Sequence, residues 1–163
     1  AKVMEAFVKT MGKRIGPKSG TDKMFVIDGE PDAMAAQYGE YFNYFILQAY
    51  NSSGNSDLNS RFTAQATHFQ QYLTPEQVAN KLIVCENFEN YAGKGGVSFR
   101  LDNGQTLPSL LGMAYWNPVY NGVTYRKGGV GTYHMEYEYT VSGQTGNYPF
   151  LRKAIQIMNP SIQ

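Results

Sequence analysis

Two polar side chains two residues apart close an apolar run in "YFNYFILQAYNSSG": Gln48 and Tyr50. In an extended strand alternate residues face the same way, so an amide and a phenol would be presented side by side. The amide carries a fixed donor and acceptor, and the phenol adds a ring face to its hydroxyl. Both groups would then meet whatever lies beyond that strand end. Glu86 and Asn87 end a second apolar run, "KLIVCENF", where Glu86 is a candidate ligand for a sugar hydroxyl and Asn87 its neighbour. Glu89 follows in the loop and reads as a solvated or loop-bracing group. In "GTYHMEYEY", strand alternation would set Glu136 and Glu138 opposite Tyr133, Met135 and Tyr137. If the tyrosines face the interior of the fold, the two glutamates turn toward helices and pair with basic residues. Carboxylates such as these form a hydrolytic pair only at separations of about 5 Å or roughly 6.5–9.5 Å. Trp116, the sole tryptophan, stands in "AYWNP" and is either a stacking platform for a sugar or a packed helix residue.

Other chemistries find little purchase. His68 and His134 are distant and lack partners at metal-ligand spacing, so neither a metal nor another cofactor is expected. His134 reads as a satisfied structural histidine. The string "GKGGVS" has neither the spacing nor the strand-to-helix setting of a phosphate loop. Cys85 is the one cysteine, so no internal disulfide forms, and its apolar neighbours predict a buried, inert thiol. The 14 Lys and Arg nearly balance the 13 Asp and Glu, giving +1, with no basic stripe for nucleic acid. No run approaches the roughly 20 apolar residues of a membrane span. Aromatic residues make up 14% of the chain, 13 of them tyrosine, which fits either sugar contacts or a wet-edged core.

The elements that must hold these groups alternate. "AKVMEAFVKTMGKRI" has helical apolar spacing and stops at Gly16-Pro17, with no N-cap, as though cut from a longer chain. "KMFVID" is a strand, and "PDAMAAQYGEYF" a short helix. A second strand spans about Asn43 to Tyr50. "NSSGNSDLNS" reads as loop and "RFTAQATHFQQYL" as helix. Thr74-Pro75-Glu76-Gln77 predicts a capping box at the start of another helix. Lys81 to Phe88 is the third strand, followed by a glycine-rich loop and a helix over "TLPSLLGMAYWNP". The fourth strand is expected over Val130 to Tyr137, and "NYPFLRKAIQIMN" as a closing amphipathic helix. Solid apolar strands separated by helices predict a parallel sheet with helices outside. Four such units make a small doubly wound domain or half of an eight-stranded barrel, in which function gathers at the carboxyl ends of the strands.

The residues themselves resemble a known family. "FILQAY", with its Gln-x-Tyr strand end, resembles the sixth barrel strand of the endo-β-N-acetylglucosaminidase branch of glycoside hydrolase family 18. "VCENFENYAGKGG", "GMAYWNP" and "GVGTYHMEYEY" resemble the seventh and eighth barrel units of its Bacteroidetes members. The resemblance implies one partial domain over residues 1–163, the C-terminal half (about strands 5 to 8) of a (β/α)8 TIM barrel. It implies hydrolysis of the β-1,4 bond between the GlcNAc residues of the N-glycan chitobiose core. The substrate's own acetamido group would attack the anomeric carbon with retention, while a glutamic acid protonates the leaving oxygen. Tyr50 and Gln48 would hold that acetamido group, and Glu86, Asn87, Trp116 and Tyr137 would line the sugar site. The family's D-x-x-D-x-D-x-E signature is missing; Asp28, Glu30 and Asp32 have the wrong spacing. The acid is therefore expected on the N-terminal half of the barrel, which becomes a required partner alongside a GlcNAc-containing glycan. A catalytically silent carbohydrate-binding relative is the alternative. The substrate class implies a secreted or cell-surface bacterial setting.

Overall fold

The computed structural model describes residues 2–139 and 148–160. In chain order the elements are helix α1 (Lys2–Met11), strand β1 (Val26–Asp28), strand β2 (Tyr44–Gln48) and helices α2 (Asn55–Phe69) and α3 (Pro75–Lys81). Strand β3 (Leu82–Asn87) precedes the short strands β4 (Ser98–Arg100) and β5 (Thr106–Pro108). Helix α4 (Ser109–Tyr115) leads to strands β6 (Val119–Tyr120), β7 (Val123–Thr124) and β8 (Gly129–Tyr133). Helices α5 (Glu136–Tyr139) and α6 (Pro149–Met158) complete the series. The main sheet has the order β1-β2-β3-β8, and β1 pairs β2 in parallel, Val26 opposite Tyr44 and Asp28 opposite Ile46. This is the α/β architecture with a parallel sheet that the apolar strand runs predicted. Ala1 and Asn147, included in the expected first and last helices, lie outside the described residues.

The chain packs as two compact units, Ala1–Leu47 with Arg61–Ile83 and Pro118–Gly128, and Gln48–Ser60 with Val84–Asn117 and Gly129–Gln163. The first is built on phenylalanine. Phe25 and Phe42 lie 4.4 Å apart by ring centroid, Phe42 and Phe45 6.2 Å, and Phe45 stacks on Phe69 at 5.4 Å. All four are buried, and such aromatic contacts add about 0.5–1.5 kcal/mol per pair beyond area burial. The capping box at α3 forms as the sequence predicts: Thr74 Oγ1 accepts from the Gln77 backbone N–H at 3.2 Å, and Gln77 Oε1 accepts from that of Thr74 at 2.8 Å. Asn121 and Gly122, at φ 50° and 78°, make the two-residue turn joining β6 to β7. Helix α1 buries only Val8; Val3, Met4 and Phe7 of its apolar stripe are exposed.

In the second unit Phe88, Ala92, Leu110, Ala114 and Ala154 form a buried cluster, joined by Leu111, Val130, Phe150 and Leu151. Helix α4 comes close to β4 at Gly112, where an added Cβ would meet the Phe99 ring at 2.2 Å. Three expectations are corrected. Residues 55–60, read as loop, are the first turns of α2, and Ser52 Oγ donates to Asp57 Oδ2 at 2.7 Å just ahead of it. The residues read as a short helix after β1 form two 3-10 helices, Pro31–Ala33 and Ala36–Tyr41. The fourth strand stops at Tyr133, not Tyr137, because His134 takes a left-handed φ of 60° and the chain turns into α5.

Candidate functional site

Strand β2 alternates as the sequence demands. Phe45, Leu47 and Ala49 are fully buried, Tyr44 and Ile46 half-buried, Gln48 exposed and Tyr50 half-buried. Gln48 is the last residue of the strand and Tyr50 sits in the turn beyond it. That turn is closed by the Ser52 N–H donating to the Ala49 carbonyl at 3.0 Å, with Asn51 at φ 60°. Asparagine tolerates this left-handed backbone better than most residues. The Ala49 N–H donates to the Cys85 carbonyl at 3.0 Å, and the Phe88 N–H to the Tyr133 carbonyl at 3.1 Å. The ends of β2, β3 and β8 are thus tied side by side. Across them the rings of Tyr50 and Tyr133 approach with centroids 6.1 Å apart, tilted 31°.

Strand β3 places its two candidates on opposite faces. Leu82, Val84, Glu86 and Phe88 are all fully buried, whereas Ile83 and Asn87 are half-buried and Cys85 is 8% exposed. Glu86 therefore points with the apolar set, and the expectation that it meets a sugar hydroxyl is corrected. Its Oε1 accepts from the backbone N–H groups of Asn87 at 2.8 Å and Asn51 at 3.3 Å. Its Oε2, like Asn87 Oδ1, is buried and finds no hydrogen-bond partner among the described residues. Cys85 is buried, as its neighbours predict.

Beyond β8 the aromatic and acidic groups regroup around His134. Its ring lies 4.0 Å from that of Tyr133 and 5.3 Å from that of Tyr137. His134 Nδ1 is 2.6 Å from Glu136 Oε1, and Nε2 is 3.7 Å from Glu89 Oε1. The His134 contact holds the Glu136 carboxyl below the usual range. Tyr137 is exposed and lies on α5, not on the strand expected to carry it. Glu138 is fully buried and accepts from the Phe150 and Leu151 backbone N–H groups at the start of α6; burial raises its pKa. Among the described residues Glu136 thus has His134 as its basic partner, while Glu138 is held by backbone N–H groups and not by the basic side chain that the strand reading expected.

Trp116 is the clearest correction. It is 1% exposed, at the end of α4, with its indole N–H donating to Asn59 Oδ1 at 2.9 Å. A stacking platform needs a free ring face, and this ring has none. Sequence reasoning missed Asn51, whose signal was present: asparagine directly after a strand end, before two serines, is a turn residue able to take positive φ. Among the described residues no helix is long and apolar enough to cross a membrane.

A family model described as glycoside hydrolase family 18, BT1044-like, matches residues 1–157, and the chain belongs to that family. It is 28% identical over 163 residues to endo-beta-N-acetylglucosaminidase F2 of Elizabethkingia meningoseptica, a match that takes in 95% of this chain. The chain spans about 45% of that protein's length. Among solved structures it is similar to BT1044 in selenomethionine variant form, with TM-score 0.74 and 26% identity over 96% of this chain and 44% of that one. It shares its fold with the endo-beta-N-acetylglucosaminidase of Cordyceps militaris, a variant in complex with fucosyl-N-acetylglucosamine-Asn, with TM-score 0.63 and 23% identity. That match takes in 94% of this chain and 49% of the other.

Proposed function

We propose that residues 1–163 are one partial domain, the C-terminal half of a family-18 (β/α)8 barrel, in a glycoside hydrolase acting on N-glycans. The bond cleaved is the β-1,4 linkage between the two GlcNAc residues of the chitobiose core. The substrate's acetamido carbonyl attacks the anomeric carbon, giving a cyclic oxazolinium intermediate and retention after water adds. Tyr50 bonds the acetamido oxygen and holds it beneath the ring, and Gln48 bonds the acetamido group or a neighbouring hydroxyl. Fixing a reacting group in this way can lower the barrier by several kcal/mol. Asn87 and Tyr137 belong to the sugar-facing rim. The glutamic acid that protonates the leaving oxygen lies on the N-terminal half, outside these 163 residues.

One observation carries this reading: in a chain of this family, Gln48 and Tyr50 stand at the carboxyl end of β2, with Tyr50 set against Tyr133 on the end of β8. The exposed apolar stripe of α1 supports the half-barrel part, since the missing half offers it cover. The relatives' names support the glycan. A secreted or cell-surface bacterial location follows from that substrate. The test is Tyr50→Phe in the complete enzyme, followed by release of glycan from an N-glycoprotein. Turnover should fall by roughly 10²-fold or more, as when one preorganised hydrogen bond to a reacting group is removed. Wild-type turnover would refute the assignment. A wild-type protein that binds the glycan without releasing it would make this a binding member of the fold.

A further inference from the structure

We infer that Glu86 is a positioning residue for Tyr50, acting through the backbone and never touching substrate; the inference rests on the role proposed for Tyr50. The geometry begins with an oddity of β3. A carboxyl group stands in a row of fully buried Leu82, Val84 and Phe88. Burying a polar group without compensating hydrogen bonds costs on the order of 1–3 kcal/mol or more. Here one oxygen is compensated and the other is not: Oε1 takes two backbone N–H groups, and Oε2 takes none among the described residues. The purpose of the group is therefore legible in what Oε1 holds.

The first N–H belongs to Asn87, at the end of its own strand. The second belongs to Asn51, and the Asn51 nitrogen is half of the peptide group that leaves Tyr50. Holding that N–H fixes the peptide plane directly after Tyr50, and so limits how Tyr50 can swing about its own backbone. The restraint adds to the turn's own ties. Asn51 sits at φ 60°, and among the described residues the turn is closed by the Ser52 N–H donating to the Ala49 carbonyl. The carboxyl is itself confined. Gly96, at φ 101°, has no room for a Cβ, which would lie 1.9 Å from Ser109 Oγ and 3.1 Å from Glu86 Cγ. Ser109 is fully buried and accepts from the Val97 N–H at 3.0 Å, so the wall on that side is fixed. A glycine, a pinned serine and a buried acid thus brace the peptide behind the proposed catalytic tyrosine.

The experiment compares Glu86→Gln, Glu86→Asp, Glu86→Ala, Tyr50→Phe and the Glu86→Ala/Tyr50→Phe double variant. All are made in the complete enzyme and assayed for release of glycan from an N-glycoprotein. Glu86→Gln keeps an oxygen at the Oε1 position and should keep kcat within about threefold of wild type. Glu86→Asp withdraws the acceptor by a methylene, and Glu86→Ala removes it. Both should lower kcat, the alanine variant by roughly 10- to 100-fold, with KM nearly unchanged, as a small misplacement of a catalytic group does. On the Tyr50→Phe background Glu86→Ala should cost less than about threefold more, because there is no tyrosine hydroxyl left to aim. If the two losses multiply in full, Glu86 does not act through Tyr50 and the inference falls while the function stands. Wild-type kcat in Glu86→Asp overturns it equally, without relying on the alanine variant to fold. Wild-type turnover in Tyr50→Phe alone would overturn the functional reading itself.

Discussion

Replacing Trp116 by alanine should unfold the protein more easily and leave glycan affinity untouched. The side chain is 1% exposed, and its N–H is bonded to Asn59 Oδ1 at 2.9 Å. Truncating a buried tryptophan costs about 3–5 kcal/mol, a large share of the 5–15 kcal/mol that holds a typical domain together. At 2–4 °C per kcal/mol for a chain of this size, the melting temperature should fall by roughly 6–20 °C. Trp116→Phe separates packing from hydrogen bonding. It keeps most of the ring volume and deprives Asn59 Oδ1 of this donor, so about 1–3 kcal/mol should be lost. The assays are thermal unfolding, followed by titration calorimetry with an N-glycan well below the transition. A melting temperature unchanged in Trp116→Ala, with glycan affinity weakened tenfold, would refute the reasoning and restore Trp116 to the sugar site.

Two further outcomes follow from buried charges. Lys127 is 3% exposed, and burial, with Arg126 nearby, pulls its pKa from 10.5 down to about 8. Between those values the unfolded chain binds more protons, so this group makes the fold more stable as pH rises. By linkage, wild-type stability relative to Lys127→Met should increase by about 2 kcal/mol between roughly pH 7 and 9.5, measured by denaturant unfolding. A pH-independent difference would refute the burial of the ammonium group. Glu138→Ala removes the acceptor for the first N–H groups of α6 and should destabilise by about 1–2 kcal/mol, like loss of a helix cap, with glycan turnover retained. An unchanged melting temperature would count against that role.

The elements legible in the sequence are those governed by local chemistry. The capping box at Thr74 and Gln77, the solid apolar runs of β2 and β3, and the exposure of Gln48 at a strand end all follow from residues within a few positions of one another. The errors share a different cause. Glu86 could not be assigned a face from its place in "KLIVCENF", because a strand buried on both sides has no polar alternation to read. The fate of Trp116 depends on Asn59, 57 positions earlier. Glu138 is occupied by backbone 12 positions later, across a helix start. The end of β8 was missed because His134 carries no glycine or asparagine signal for its left-handed backbone. By contrast, the turn between β6 and β7 is plain in the dipeptide Asn121-Gly122, whose residues both take positive φ.

The border between the two compact units cuts through strands, between Leu47 and Gln48 in β2 and between Ile83 and Val84 in β3. A single strand therefore serves two masters along its length. The buried residues before the border answer to a phenylalanine core that tolerates only changes of similar volume. After it, Ala49, Val84, Glu86 and Phe88 are still fully buried, and Gln48, Tyr50 and Asn87 are the positions left exposed or half-buried. On the function proposed, selection acting on substrate preference falls on Gln48, Tyr50 and Asn87, while Ala49, Val84, Glu86, Phe88 and the opening residues of the same strands stay frozen. Sequence divergence among relatives should accordingly step up partway along a strand and not at its ends. Exchange of rim segments between relatives should be cut inside β2 and β3, since a graft taken at the loop boundaries would leave Gln48, Glu86 and Asn87 behind with the old scaffold.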